Sequence, residues 1–136
     1  MQELDPKTLF SIFEAGDEQV YKENHVEHLL ENPFVLVGMV VRGIDNYRLM
    51  DLMYSRNYPK LYKRNKREIK YKYFVNLFNY LKRIKLDENL DKFKIGEDYE
   101  LLSTKSRLDE LLYYFEDLEQ YEKCSTIKNI MDRILI

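Results

Sequence analysis

The sequence predicts an all-α fold: a compact single-domain bundle of about six helices that ends in an antiparallel helical hairpin. Only four glycines and three prolines interrupt 136 residues, which is too few turn residues for a many-stranded sandwich or barrel. The hydrophobic fraction of 45% lies in the globular range. A chain of this length can bury a core as one domain, so we treat residues 1–136 as a single helical domain.

Helix-start signals divide the first part of the chain. Asp5 followed by Pro6 is typical of an N-cap and the first helical position, and two helices are expected before residue 32. Asn32 followed by Pro33 repeats this signal ahead of the apolar run 34–41. That run suits either a buried strand or a buried helix. We favour a helix, because the sequence offers a lone strand no partner.

Helix-breaking residues divide the middle of the chain. The tripeptide 42–44, centred on Gly43, predicts a turn. A helix then follows as far as Pro59, which cannot continue it. A long helix is predicted to start between residues 60 and 66 and to end near residue 86, after which residues 87–100 form a loop.

The C-terminal segment 106–136 is predicted to be a helical hairpin. Ser106 and Asp109 form an approximate capping box at its start, a short turn lies near 119–122, and a last helix runs through Ile134. Residues 108–134 of this segment resemble the UVR motif, a helical hairpin found in excision-repair proteins and some protease adaptors. The residues that carry the resemblance are Tyr121 and Glu122 at the opening, the small pair Cys124 and Ser125, the aliphatic-basic pair Ile127 and Lys128, and then Met131 and Ile134. Asn129 departs from the acid usual in the motif. The resemblance implies protein–protein docking through the hairpin; without it, the same spacing is what any tight antiparallel helix pair requires.

Charge is segregated into three blocks. Residues 1–55 carry 4 basic and 10 acidic side chains, residues 56–85 carry 11 basic and one acidic, and residues 86–136 carry 7 basic and 13 acidic. The block charges of −6, +10 and −6 add to the net charge of −2. Segregation on this scale indicates a charged interaction surface in the middle block.

The basic block begins on the core face of the long helix. Lys63, Lys66, Arg67 and Lys70 stand at i, i+3, i+4 and i+7, in the same sector as apolar residues further along. Unpaired cations cannot lie in a dry core. We therefore expect the first two turns of the helix to overhang the packed body. The predicted binding residues are Arg56, Lys60, Lys63, Arg64, Lys66, Arg67 and Lys70.

Three interpretations of this basic segment stay open: neutralisation by the chain's own acids, an acidic protein partner, or nucleic acid. Interleaved tyrosines favour nucleic acid, since bases can stack on them; they are Tyr54, Tyr58, Tyr62, Tyr71 and Tyr73. A helix-turn-helix around Gly43 is a weaker argument for the same function. A homodimer is a further alternative, because an acidic block of one copy could meet the basic helix of another.

Catalytic chemistry is thin in this sequence, and no enzyme activity, cofactor or metal is expected. No phosphate-binding loop, nucleophile elbow or paired-cysteine spacing is present. His25 and His28 could present two metal ligands on one helix, but a polar surface helix is the simpler interpretation. Cys124 is expected in the seam of the hairpin.

The lone cysteine and the short apolar runs predict a cytoplasmic protein with no membrane span. The sequence therefore favours a small interaction protein, an adaptor, regulator or inhibitor, with nucleic-acid binding as the alternative. Its composition is typical of a viral or mobile-element protein.

Overall fold

The computed structural model describes residues 30–87, 90, 94–95 and 99–135. Within these residues the fold consists of four helices: α1 (Pro33–Asn57), α2 (Pro59–Lys82), α3 (Tyr99–Asp117) and α4 (Tyr121–Ile134). The predicted all-α class is confirmed for this part of the chain. The six-helix count is not confirmed: the two helices expected before residue 32 lie almost wholly outside the described residues, and two others are a single helix.

Helix α1 begins at the predicted cap. The Asn32 side chain accepts the backbone N–H groups of Phe34, at 2.9 Å, and Val35, at 3.4 Å, and Pro33 takes the first helical position. These bonds satisfy donors that the first turn of a helix leaves unpaired. The ambiguous run 34–41 is therefore helical, as favoured.

The predicted turn at 42–44 is wrong, because α1 continues through it. Gly43 lies buried where α1 meets α2, and its carbonyl accepts the Tyr73 hydroxyl at 2.7 Å. A mid-helix glycine costs about 1 kcal/mol in propensity, but close packing of two helices offsets this. Without a turn at Gly43 there is no helix-turn-helix in this region.

Helices α1 and α2 form an antiparallel hairpin with Tyr58 as the only residue between them. The Tyr58 N–H bonds to the Tyr54 carbonyl at 2.9 Å, which completes the last turn of α1. Pro59 then prevents its predecessor from adopting helical geometry, and the chain reverses. Contacts between α1 and α2 follow the antiparallel register from the Asp51–Tyr62 pair near the connection to the Gly43–Tyr73 pair farther along.

Helices α3 and α4 form a second hairpin that covers the first. Helix α3 packs on α1, and α4 packs on α2. Edge-to-face ring contacts join the hairpins, with centroids 4.4 Å apart for Phe74 and Tyr114 and 5.8 Å apart for Phe78 and Phe115. Around these rings lies one continuous core drawn from all four helices. Its fully buried members include Leu36, Ile44, Ile69, Leu81, Leu108, Leu111 and Ile127.

Ion pairs fix the outer edge where α3 crosses α1. Arg107 contacts Asp45 at 2.8 Å, and Arg48 contacts Glu110. Arg48 also lies 3.7 Å from Asp45, so the four side chains form one alternating network. Pairs this exposed contribute little singly, and a network of them orients the two helices.

Helix α3 begins earlier than predicted. Because its first residue is Tyr99, Ser106 lies inside the helix and the predicted capping box is wrong. Tertiary packing of Thr104 and Leu108, both buried, extends the helix toward its N-terminus. The chain before α3 is tied to the end of α4 by the Ile95 N–H, which donates to the Ile134 carbonyl at 2.7 Å.

The turn between α3 and α4 is a Schellman motif. The Gln120 N–H bonds to the Phe115 carbonyl and the Glu119 N–H to the Glu116 carbonyl, both at 2.9 Å. Glu119 takes the left-handed position with φ 58°, where glycine is the usual residue. Cys124 is buried against α3, as predicted, while its neighbour Ser125 is exposed. Only one member of the small pair in the UVR-like string therefore packs on the first helix.

The two glycines of α1 offer a matched test of the helix contact. A Cβ at Gly43 would lie 2.4 Å from a methyl of buried Leu77, whereas a Cβ at Gly38 would meet, among the described residues, only an Arg42 nitrogen at 3.9 Å. We expect Gly38→Ala to raise the free energy of unfolding by about 0.5–1 kcal/mol through helix propensity. Gly43→Ala should lower it by about 1–3 kcal/mol through overpacking. Urea denaturation followed by circular dichroism measures both; equal stabilisation by the two substitutions would contradict the close approach.

Candidate basic docking surface

The position of the α3–α4 turn determines which part of α2 is covered. The Gln120 side-chain amide donates to the Tyr71 hydroxyl at 3.1 Å, so the turn lies beside the middle of α2. The α1–α2 hairpin extends beyond this point. We define the hairpin tip as residues 49–67, which comprise the last turns of α1, the connection and the first turns of α2.

Five of the seven predicted binding residues lie exposed on the hairpin tip: Arg56, Lys60, Lys63, Arg64 and Arg67. None of them forms an ion pair within 4.0 Å with another described residue. The sequence from 46 to 86 contains only two acids, Asp51 and Glu68. Glu68 pairs with Lys72 at 2.9 Å, so it offers no neutralisation to the tip. The described part of the chain therefore leaves these five cations without an ion pair.

The other two predicted residues are engaged within the fold. Lys66 lies 3.2 Å from Asp51 of α1, which also accepts the Tyr62 hydroxyl at 2.7 Å. Lys70 is half-buried, and its ammonium lies 5.3–5.8 Å from the ring centroids of Tyr47, Phe74 and Tyr114. Such cation–π contacts stabilise the junction of α1, α2 and α3. Lys66 and Lys70 therefore hold the hairpin together.

The tyrosines do not form the expected stacking surface. Tyr62 is 1% exposed and Tyr73 is 5% exposed, since both rings pack between α1 and α2. Tyr54 stacks on Tyr58 with centroids 5.9 Å apart. Tyr71 alone of the five is classed as exposed, and its hydroxyl is bonded to Gln120. The buried rings of Tyr62 and Tyr73 exclude water and their hydroxyls bond to Asp51 and Gly43 of α1, so these two tyrosines stabilise the interface between the two helices.

Burial raises the pKa of three tyrosines in the core, of which only Tyr62 belongs to the five just described. Desolvation raises the pKa of Tyr47 to about 12 and that of Tyr114 to about 12. The pKa of Tyr62 is also raised, first by desolvation and then by its hydrogen bond to the Asp51 carboxylate, which requires the hydroxyl proton.

Three large apolar residues of the tip were not recognised as a surface from the sequence. Leu49, Leu52 and Met53 are 61%, 56% and 50% exposed. At i, i+3 and i+4 they share one face of α1, and Arg56 continues it. A helical projection identifies this face as opposite the buried Ile44 and Tyr47, but only when residues 42–44 are treated as helix.

A groove runs along α3, outside the hairpin tip. It is an open groove of about 640 Å³ whose described lining includes Lys70, Leu102, Asp109 and Tyr113. Two of its carboxylates are engaged, Asp109 with Lys105 at 3.0 Å and Glu110 with Arg48, while Asp117 has no ion pair among the described residues. This groove therefore presents a surface of mixed charge.

Groups suited to covalent or metal chemistry are scarce in the residues that the structure describes. Desolvation raises the pKa of the buried Cys124 thiol, which disfavours the reactive thiolate. No cluster of three or more histidine, cysteine, aspartate or glutamate side chains suited to a metal occurs among the described residues. His25 and His28 lie outside them.

Comparison with protein-family models, curated proteins and solved structures finds no match to this chain. None of the described helices is long and apolar enough to cross a membrane.

The buried tyrosines predict how stability depends on pH. The folded chain holds the protons of Tyr47, Tyr62 and Tyr114 more tightly than the unfolded chain, whose tyrosines titrate near pH 10. Stability from these groups is full below pH 10 and is lost as the pH rises above 10, which for Tyr47 and Tyr114 extends through about 12, at up to about 1.4 kcal/mol per pH unit for each hydroxyl. We expect Tyr62→Phe to lower the stability at pH 8 and to make its fall above pH 10 less steep.

Urea unfolding at a series of alkaline pH values measures this slope. Tyr113→Phe is the matched control, since that ring is exposed in the folded chain. An unchanged slope in Tyr62→Phe would show that its hydroxyl is not held as described.

Proposed function

We propose that this protein is a non-enzymatic interaction protein that binds an acidic protein partner through the hairpin tip. The observation that carries the proposal is the exposed apolar face formed by Leu49, Leu52 and Met53, on a hairpin tip that also exposes five cations with no ion pair among the described residues. Interfaces between proteins combine an apolar centre with a polar rim in this way.

The apolar side chains support a partner that buries them. Three neighbouring large hydrophobic residues, each at least half exposed, make a contiguous apolar patch on one helix face. Patches of this kind mark interaction sites more often than single exposed leucines do. Each such side chain contributes up to about 1.5–3 kcal/mol when fully buried, which is enough to define the centre of an interface.

The charges specify the partner's chemistry. Arg56 lies on the apolar face itself, and Lys60, Lys63, Arg64 and Arg67 follow on α2. A positively charged tip attracts an acidic surface, raises the association rate and repels basic competitors. The partner we expect is an acidic segment with apolar residues along one side.

The same observations favour a protein over nucleic acid. A site for single-stranded nucleic acid combines cations with exposed aromatic faces on which bases stack, whereas Tyr62 and Tyr73 are buried in the hairpin. Leucine and methionine side chains contribute little to a phosphate backbone. Nucleic-acid binding is the alternative that the test separates.

A defined peptide tests the proposal. We expect an acidic amphipathic helical peptide, with leucines along one face and glutamates beside them, to bind more tightly than a scrambled peptide of the same composition. Leu49→Ser and Lys63→Glu should each weaken binding by about tenfold, or about 1.4 kcal/mol. Fluorescence anisotropy of the labelled peptides measures these affinities.

Two controls lie outside the tip. Leu102→Ser removes an exposed leucine of α3, and Lys82→Glu reverses an exposed charge at the far end of α2; both should bind the peptide as wild type does. Equal binding of the scrambled peptide would contradict the apolar face. Tighter binding of a short DNA duplex, falling steeply with salt, would assign the tip to nucleic acid instead.

A further inference from the structure

A second charged surface borders the hairpin tip. The α3–α4 turn lies beside Tyr71 through its contact with Gln120, and Arg67 precedes Tyr71 by one helical turn. The last cations of the tip are therefore neighbours of the turn. We define residues 116–122 as the acidic turn.

Like the hairpin tip, the acidic turn combines exposed charges with exposed apolar side chains, but its charges are negative. It contains four exposed acids and no basic residue: Glu116, Asp117, Glu119 and Glu122. None of these acids forms an ion pair with a described residue. Leu118 and Tyr121 lie between them, 44% and 64% exposed. The turn is thus an acidic surface with apolar members, which is the chemistry that the tip requires of a partner.

One of these acids occupies a position that costs stability. Glu119 has φ 58°, where a side chain is strained and glycine is not. Such strain is often retained at functional positions. An exposed glutamate at this position is consistent with a use for its charge.

Two adjacent surfaces of opposite charge are suited to pairing about a two-fold axis. When the axis passes near Tyr71 and Gln120, the basic tip of each copy meets the acidic turn of the other, and both contacts form twice. We propose that a second copy of this chain binds in this way, through the cations Lys63, Arg64 and Arg67. The proposal rests on the function proposed above, because the dimer uses the same cations of the hairpin tip to bind an acidic surface with apolar members. The second copy therefore competes with the acidic partner.

Charge exchange tests the dimer directly. Sedimentation equilibrium of the full chain should show a dimer that forms with rising concentration and weakens with salt. The pair Lys63→Glu and Arg67→Glu, or the pair Glu116→Lys and Glu119→Lys, should weaken it at least about tenfold. Combining all four changes in one chain, or mixing the two double variants, should restore association. Lys82→Glu with Lys85→Glu is the control that leaves it unchanged.

The variant Glu119→Gly distinguishes a role of Glu119 in the dimer interface from a role in the stability of the fold. Relief of the left-handed strain should raise the thermal midpoint, while loss of the carboxylate weakens the dimer. A purely structural residue would not move these two readouts in opposite directions.

The outcomes distinguish this inference from the proposed function. A wild-type chain that is monomeric at every concentration, or a dimer that neither double variant weakens, overturns the self-association. The peptide affinity is measured separately: the variant with Glu116→Lys and Glu119→Lys should still bind the acidic peptide, since its tip is intact. If the wild-type chain does not bind the acidic peptide, the proposed function is overturned, whereas the dimer is decided by sedimentation equilibrium.

Discussion

The structure depends on one constraint: a helix face that is basic in its first half and apolar in its second can be covered only along the second half. Burying unpaired cations against a core costs far more than their packing could return. On α2 the change occurs between Lys70 and Phe74. From Phe74 onward the face packs against Tyr114 and Phe115, and before Lys70 it is exposed. The covering hairpin turns back beside Tyr71, where the apolar face ends.

The uncovered half of α2 needs another source of stability, and the tyrosines of the α1–α2 hairpin supply it. Tyr62 fills the space between the helices and donates to Asp51, whose carboxylate also contacts Lys66. A tyrosine can be buried between only two helices, because its ring excludes water while its hydroxyl donates a hydrogen bond to the Asp51 carboxylate. The tip can therefore stay ordered while its outer surface carries cations and leucines. Stability and binding are assigned to opposite sides of the same two helices.

Local signals predicted part of this arrangement. The Asn32–Pro33 cap, the last helix ending at Ile134 and the apolar sector of α2 agree with the structure, since each depends on a few neighbouring residues. The Gly43 turn and the Ser106 capping box were wrong because packing against Leu77 and burial of Leu108 overrule local preference. The cations of the site could be predicted from spacing alone. The inward orientation of Tyr62 and the exposure of Leu49 could not, since both depend on α1 being one continuous helix.

Lysine acylation, read out by mass spectrometry, tests the central claim most directly. In dilute, monomeric protein at moderate salt, Lys60 and Lys63 should react faster than Lys66, which is paired with Asp51, and Lys70, which lies on three aromatic rings. Asp51→Asn should accelerate Lys66 and leave Lys60 unchanged. If Lys60 and Lys63 are protected as strongly as Lys70 in the monomer, the tip is covered by the chain itself and the account is contradicted.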